Sequence, residues 1–203
     1  MRKLLIFLVI IITVHCSGVQ YEIKYEDTAI DSGTISEIAI CDFENKTDID
    51  LAGSYAADRL QERVKKNSEF NILERKTIQD ILKEQDITPS DVTDPKNIKK
   101  ISEKVSIDAI ITGSVVGIDD PHTQYYYTKN FDTSFKVQIR IVDIESGRVL
   151  YNNHCQGSEE DMTIRHENPQ FIEKRIAHTI IDRCINSLSS EFLPRKIRVP
   201  VKQ

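Results

Sequence analysis

Several features that would identify a membrane-spanning or catalytic protein are missing from this 203-residue sequence. Beyond residue 16, no apolar run approaches the roughly 17 to 25 residues that a membrane-spanning helix needs. The chain has no Gly-x-Ser-x-Gly nucleophile turn, no phosphate-binding loop ending in Gly-Lys-Ser or Gly-Lys-Thr, and no His-Glu-x-x-His zinc motif. These absences argue against the common hydrolase, nucleotide-binding and metalloprotease classes.

The histidines and cysteines are also poorly spaced for a metal site. His154 and Cys155 are neighbours in a strand-like segment, so their side chains point to opposite faces. His178 and Cys184 are six residues apart in a helical segment, and that spacing does not align them. Five acidic residues occupy helical positions typical of solvated faces: Glu62, Asp80, Glu84, Glu103 and Glu173. We therefore expect no catalytic residue, no cofactor and no metal ion.

Positive charge is in short supply. The sequence has 27 Lys and Arg against 32 Asp and Glu, for a formal net charge of −5. So acidic a chain is a poor ligand for a phosphate backbone, and we expect no nucleic-acid partner. The exception is the tail 194–203, whose basic residues predict either a solvated, disordered segment or a contact with an anionic envelope polymer or a partner protein.

The N-terminal segment has the pattern of an export signal. Two basic residues precede an apolar run over residues 4–12, which is too short to span a bilayer comfortably. The following Cys16 resembles the modified cysteine of a bacterial lipobox, where it is diacylated and becomes the first residue. His15 and Thr13 replace the usual small residue and leucine, so the alternative is an ordinary secretory signal cut near Gly18.

These observations predict four segments. Residues 1–15 form a lipoprotein signal peptide, and residues 16–34 comprise the lipidated Cys16 and a flexible tether. Residues 35–193 form one globular domain, and residues 194–203 form the basic tail.

The order of predicted elements indicates an α/β fold. Residues 35–43 form an apolar run typical of a central strand buried on both faces, and a helix capped by Asp48 or Asp50 follows. The remaining elements are a strand at 70–73, a helix at 75–85, a helix from Pro95 capped by Asp94, a strand at 107–118, a hairpin over 137–155 and a helix at 169–192. The order β-α-β-α-α-β-β-β-α predicts a single three-layer domain with a mixed sheet of about five strands.

Three cysteines remain once Cys16 is assigned to lipid, and an odd number cannot all pair. An oxidising periplasm permits one bridge, and Cys155 with Cys184 is the favoured pair because Cys41 lies inside the apolar strand. The alternative is that all three are small buried hydrophobic residues.

Three consecutive tyrosines, Tyr125, Tyr126 and Tyr127, lie in a polar segment between two predicted strands. Tyrosine is enriched at protein interfaces, so this run is a candidate partner-contact patch. The alternative is an edge strand whose middle ring is buried.

Three segments together resemble the CsgG-like family of outer-membrane lipoproteins, which is named after the curli secretion channel. The segment 70–85 is similar to that family's strand, Glu-Arg turn and short helix. Residues 107–115 resemble its third strand, and residues 137–150 resemble a strand, turn and strand. The resemblance covers about residues 35–190 and implies a CsgG-like domain on the periplasmic side of the outer membrane.

The resemblance also implies a role in curli-like secretion or envelope assembly. The loop between the first strand and its helix is only a few residues long, so the channel's constriction loop is missing. The segments 119–133 and 157–168 are too short and polar for pore hairpins. We therefore expect a non-enzymatic lipoprotein that binds envelope proteins or itself as a homo-oligomer. The alternatives are an oligomeric secretion-channel subunit and an activator of a peptidoglycan synthase.

Overall fold

The computed structural model describes residues 21–26, 35–118, 128–164 and 169–200. Within these ranges the chain forms strands and helices in the following order: β1 (Tyr21–Glu26), β2 (Glu37–Ile40), β3 (Glu44–Lys46), α1 (Ala52–Asn67), β4 (Asn71–Ile72), α2 (Arg75–Glu84), α3 (Pro95–Ser102), β5 (Ala109–Ile118), β6 (Thr128–Asp143), β7 (Val149–Ile164), α4 (Pro169–Phe192) and β8 (Arg195–Pro200).

The main sheet has the strand order β4-β2-β5-β6-β7, and the short β3 also pairs with β5. Strand β2 runs parallel to β4 and to β5, whereas β6 runs antiparallel to both of its neighbours, β5 and β7. The predicted α/β class and mixed sheet are confirmed. The parallel pairs come from strands joined through helices, and the antiparallel pairs come from direct connections.

Helices cover both faces of this sheet, which confirms the predicted three layers. On the central strand β2, Ile38 and Ile40 pack into the core beneath α1 and α4. Their neighbours Ala39 and Cys41 pack into a second core beneath α2 and α3. Alternate side chains of a strand point to opposite faces, so a continuous apolar run supplies both cores at once.

The helix α1 begins differently from the sequence prediction, in which Asp48 or Asp50 caps it. Neither carboxylate does so, and the residue before the helix is Leu51, with φ 63° and no side-chain cap. The turn is closed earlier, where the Asn45 side-chain amide donates to the Ile49 carbonyl at 2.9 Å. In contrast, the predicted cap of α3 is confirmed, because Asp94 Oδ1 accepts from the Lys96 N–H at 2.8 Å.

The two ends of the chain also differ from the sequence prediction, which gives coil to both the tether and the basic tail. Strands β1 and β8 pair antiparallel as a separate two-stranded sheet, from Tyr21↔Pro200 to Glu26↔Arg195. This pairing joins segments at opposite ends of the sequence, so the local composition of neither segment reveals it.

The hairpin β6–β7 is longer than predicted, with 16 residues in each strand. Its outer part, from Thr128↔Ile164 to Thr133↔Glu159, extends beyond the end of β5. A ribbon without a sheet neighbour needs no apolar face, so its polar sequence obscured the strands.

Within the sheet, Gly113 is required by a close approach, since a Cβ there would collide with the Gln138 carbonyl oxygen and the Phe43 ring.

Candidate functional site

Helices α1 and α4 lie side by side and run in the same direction on one face of the sheet. Residues further along α1 contact residues further along α4: Tyr55 stacks on His178, Arg59 binds Asp182, and Arg63 donates to Ser189. The N-terminal ends of both helices therefore lie at the same end of the domain.

An aromatic stack lies between these two helices. The rings of Tyr55 and His178 are nearly parallel, with centroids 3.8 Å apart and an interplanar angle of 7°. The Tyr55 hydroxyl donates to Asp182 Oδ1 at 3.0 Å, and Arg59 Nε donates to the same oxygen at 2.7 Å. The stack is therefore fixed in position before any partner binds.

The electrostatics of the stack keep both rings uncharged near neutral pH. Burial, and then the nearby Lys174 ammonium, lower the pKa of His178, although Asp182 opposes this shift. Burial and the hydrogen bond to Asp182 raise the pKa of Tyr55. The rings are therefore uncharged, half-buried groups with charged side chains beside them.

A large apolar side chain stands exposed at the start of α4. Phe171 is 66% exposed, and Leu51, which precedes α1 at the same end of the helix pair, is 71% exposed. Phe171 lies two helical turns before His178, on the face of α4 opposite its buried stripe. The concave surface along this face is lined by Phe171, Lys174, Arg175, His178, Thr179 and Asp182. We call it the α1–α4 surface.

The composition of the α1–α4 surface is typical of protein contacts. Aromatic and arginine side chains dominate the binding energy of interfaces, and polar groups commonly surround them. Here the exposed Phe171 and the stacked rings supply aromatic area, while Lys174 and the Arg59–Asp182 pair supply the polar rim. The arrangement can bind a side chain of a partner protein.

The opposite side of α4 is fastened to strand β7. Cys155 and Cys184 are placed as a disulfide with Cα atoms 5.3 Å apart. Near the C-terminal end of α4, Glu191 accepts hydrogen bonds from the Tyr151 hydroxyl at 2.8 Å and from the Asn153 amide at 2.7 Å. These contacts fix the position of α4, and with it the α1–α4 surface.

The Glu-Arg turn that contributed to the family resemblance has a structural role. Arg75, the first residue of α2, forms ion pairs with Asp42 after β2 and with Asp58 on α1. The Gln79 amide donates to the other oxygen of Asp42 at 2.8 Å. Arg75 thus joins the two helical layers around the end of the central strand.

The sequence-predicted site residues fall into two groups. Cys155 and Cys184 are brought together, whereas Cys16 and the tyrosines 125–127 lie outside the described residues. In the part of the chain that the structure describes, no group of three His, Cys, Asp or Glu side chains could hold a metal ion. No helix in those same ranges is long and apolar enough to cross a bilayer.

The α1–α4 surface was not among the sequence predictions. Its aromatic stack joins residues 123 positions apart in the chain, and no local pattern predicts such a pairing. One signal was present: Phe171 is a large apolar residue that lies off the buried stripe of its helix.

No curated protein matches this chain. Among solved structures, the chain is similar to lipoprotein GNA1162 of Neisseria meningitidis, with 11% identity, 76% of this chain and 99% of that one covered, and a TM-score of 0.49. It is similar to PelC of Paraburkholderia phytofirmans, solved as a dodecamer, with 11% identity, 87% and 100% coverage and a TM-score of 0.45. It is also similar to the LpoB C-terminal domain of Salmonella enterica, with 13% identity, 63% of this chain and 84% of that one covered, and a TM-score of 0.43.

The family comparison is more decisive than these distant structural similarities. Residues 33–188 match the family described as curli production assembly/transport component CsgG. The match spans the main sheet, both helical layers, the Arg75 ion pairs and most of α4, in agreement with the resemblance seen in the sequence. The chain therefore belongs to the CsgG family.

Proposed function

We propose that this protein is a non-enzymatic lipoprotein, anchored to the outer membrane through Cys16 with its domain facing the periplasm. It supports secretion or assembly of envelope or surface proteins by binding another envelope protein through the α1–α4 surface. Membership of a family of assembly and transport components supports the role, and the exposed aromatic area supports the surface.

The observation that carries the proposal is the exposure of Phe171 beside a fixed aromatic stack. A phenylalanine left 66% exposed gains free energy when a partner covers it, at roughly 25 cal/mol per Å² of apolar area. The neighbouring Tyr55 and His178 rings are already held by Asp182, so little side-chain entropy is lost on binding. An apolar or aromatic side chain of the partner fits this position.

The three tyrosines of the predicted patch belong to the segment of the sequence that connects β5 to β6. The chain leaves β5 at Ile118 and enters β6 at Thr128, and both residues lie at the end of the sheet where α1 begins. We propose that Tyr125, Tyr126 and Tyr127 contribute to the same contact. Alanine at all three positions should weaken partner binding, and unchanged binding would remove them from the proposal.

The direct test is Phe171→Ala, with Val149→Ala as the control. Val149 is also apolar and exposed, at 50%, but it begins β7, outside the α1–α4 surface. Full-length protein is crosslinked in the producing cell, the partner that wild type captures is purified, and its dissociation constant is measured. Phe171→Ala should weaken binding by about tenfold or more, and Val149→Ala should not.

Several results would contradict the proposal. Equal affinities for wild type and Phe171→Ala would exclude the α1–α4 surface, provided that both proteins unfold at the same temperature. Ion conductance by the full chain in planar bilayers would favour a channel subunit instead. Stimulation of a purified peptidoglycan synthase would favour an activator of that enzyme instead.

A further inference from the structure

Strand β7 forms the outer edge of the main sheet, because it pairs with β6 on one side and is the last strand in the sheet order. It is 16 residues long, whereas β4 at the other edge has two residues. Over the ranges that the structure describes, β7 is therefore the sheet's one long edge. An edge strand presents a row of backbone groups that can pair with another chain.

The hydrogen bonds of the sheet determine which backbone groups of β7 face outward. The Cys41 N–H donates to the Ile111 carbonyl at 2.9 Å, so odd-numbered residues of β5 face β2. Backbone hydrogen-bonding groups alternate in direction along a strand. The N–H and C=O of Ile139 therefore point toward β7, and those of its partner Asn153 point toward β6. The backbone N–H and C=O of the next residue, His154, must then point away from the sheet. Its N–H indeed bonds to the Asn153 side-chain oxygen at 2.8 Å rather than to β6.

Four even-numbered residues therefore present backbone N–H and C=O groups to the outside: Asn152, His154, Gln156 and Ser158. Their side chains are all exposed on the sheet face opposite α4. Over residues 149–158 the strand also lacks the usual protection of an edge, since this stretch contains no lysine, arginine, aspartate, glutamate or proline.

The contacts of β7 with α4 hold this edge in an extended conformation. Cys155 is placed as a disulfide with Cys184, and Tyr151 and Asn153 bind Glu191 at the end of α4. Adding a strand to a fixed template loses less conformational entropy than adding one to a mobile segment.

The charge pattern of β7 selects its occupant. Residues 149–158 contain no charged aspartate, glutamate, lysine or arginine, whereas residues 159–161 are Glu-Glu-Asp. Two β7 strands paired in parallel would bring these acidic triplets side by side, which is destabilising. In antiparallel pairing about a two-fold axis near His154, the acidic triplet of each copy lies opposite the start of β7 in the other copy. The two triplets are therefore far apart.

We propose that two copies of this protein pair β7 to β7 in antiparallel orientation, joining their sheets across a two-fold axis. Such an interface is self-complementary, because each outward donor of one copy, apart from the His154 N–H that Asn153 holds, meets an acceptor of the other. The proposal goes beyond the α1–α4 contact and uses a different surface. Either proposal can therefore fail without affecting the other.

The test replaces a single outward N–H. Gln156→Pro removes the donor at an outward-facing position and no hydrogen bond to β6, whereas Gln156→Thr removes the same side chain and keeps the donor. Sedimentation equilibrium of the full chain in detergent gives the dimer dissociation constant. The two-fold axis places the substitution in the interface twice, so two hydrogen bonds are lost. Gln156→Pro should therefore weaken the dimer about tenfold or more, and Gln156→Thr should not.

A second variant should have the opposite effect. Asn153→Ala frees the His154 N–H from its side-chain partner for the second copy, while Tyr151 and the cysteine pair still hold β7 against α4, so the dimer should become tighter. Phe171→Ala should leave the dimer unchanged. A wild type that stays monomeric throughout the concentration series, or equal weakening by Gln156→Pro and Gln156→Thr, would overturn the proposal.

Discussion

The two helical layers cover the sheet unequally. On one face, α1 and α4, with 16 and 24 residues, span the sheet and bury a continuous apolar core. On the other face, α2 and α3, with 10 and 8 residues, cover the central strands and leave polar residues of β6 and β7 exposed or half-buried. The difference indicates that most of the stability comes from one face, while the other leaves the long edge of the sheet accessible.

The largest expected effect tests this asymmetry directly. Phe192→Ala removes the largest fully buried side chain of the α1–α4 core and should lower the free energy of unfolding by about 3–5 kcal/mol. Ile101→Ala, in the α2–α3 core, is also fully buried and should cost about 2 kcal/mol, the low end for such truncations. Urea unfolding measures both, and equal losses would break the comparison.

The disulfide prediction sharpens the comparison, because the bridge would strengthen only the α1–α4 face. A bridge between cysteines 29 residues apart should contribute about 3–4 kcal/mol in the chain-entropy treatment. Paired replacement of Cys155 and Cys184 by alanine should remove this amount in urea unfolding.

Alkylation followed by mass spectrometry checks that the bridge forms. Without reductant, Cys155 and Cys184 should stay unmodified. Cys41 should react only after denaturation, because burial raises the pKa of its thiol to about 12. Alkylation of all three thiols without reductant would show that no bridge exists.

Arg75 links the two faces and should be intermediate in effect. Arg75→Ala leaves Asp42 without its guanidinium partner and releases Asp58 on α1, so it should cost about 1–3 kcal/mol. Arg75→Lys should recover only part of the lost free energy of unfolding, because one ammonium cannot bind both Asp42 and Asp58 as the guanidinium does. Full stability of Arg75→Ala in urea would mean that the layers pack independently.

Asp108 provides a pH-dependent contribution at the start of β5. Its carboxylate accepts from the Glu37 and Ser36 N–H groups at 2.8 and 2.7 Å, and these bonds lower its pKa from 3.8. This stability is present above the unfolded pKa, and it is lost as pH falls below about 4 through the lower folded pKa. Asp108→Asn should therefore be less stable at pH 7 and show a shallower loss in acid, followed by thermal unfolding between pH 7 and 2.

The smallest effect concerns the backbone before α1. Leu51 has φ 63°, a conformation that costs an ordinary residue about 1 kcal/mol and that asparagine adopts more readily. Leu51→Asn should raise the free energy of unfolding by up to about 1 kcal/mol. A loss instead would show that the exposed leucine packs better than its 71% exposure indicates.

The sequence predicted those parts of the fold that rest on local periodicity. The helix from Pro169 to Phe192 and the apolar strand around Ile38 follow from repeating apolar positions, which report burial directly. The β1–β8 pair and the Tyr55–His178 stack depend on contacts between distant segments. No local pattern encodes such contacts, so the candidate surface emerged only from the structure.

The sheet topology has a consequence for how the chain folds. Strands β5, β6 and β7 and helix α4 are consecutive in sequence, so they can associate through short connections. The parallel pair Ile38↔Ala109 must instead close a loop of about 70 residues, at a larger entropic cost. The slow step of folding is therefore expected to be the docking of β2 beside β5, and until then the Ile110 side of the sheet lacks its full cover.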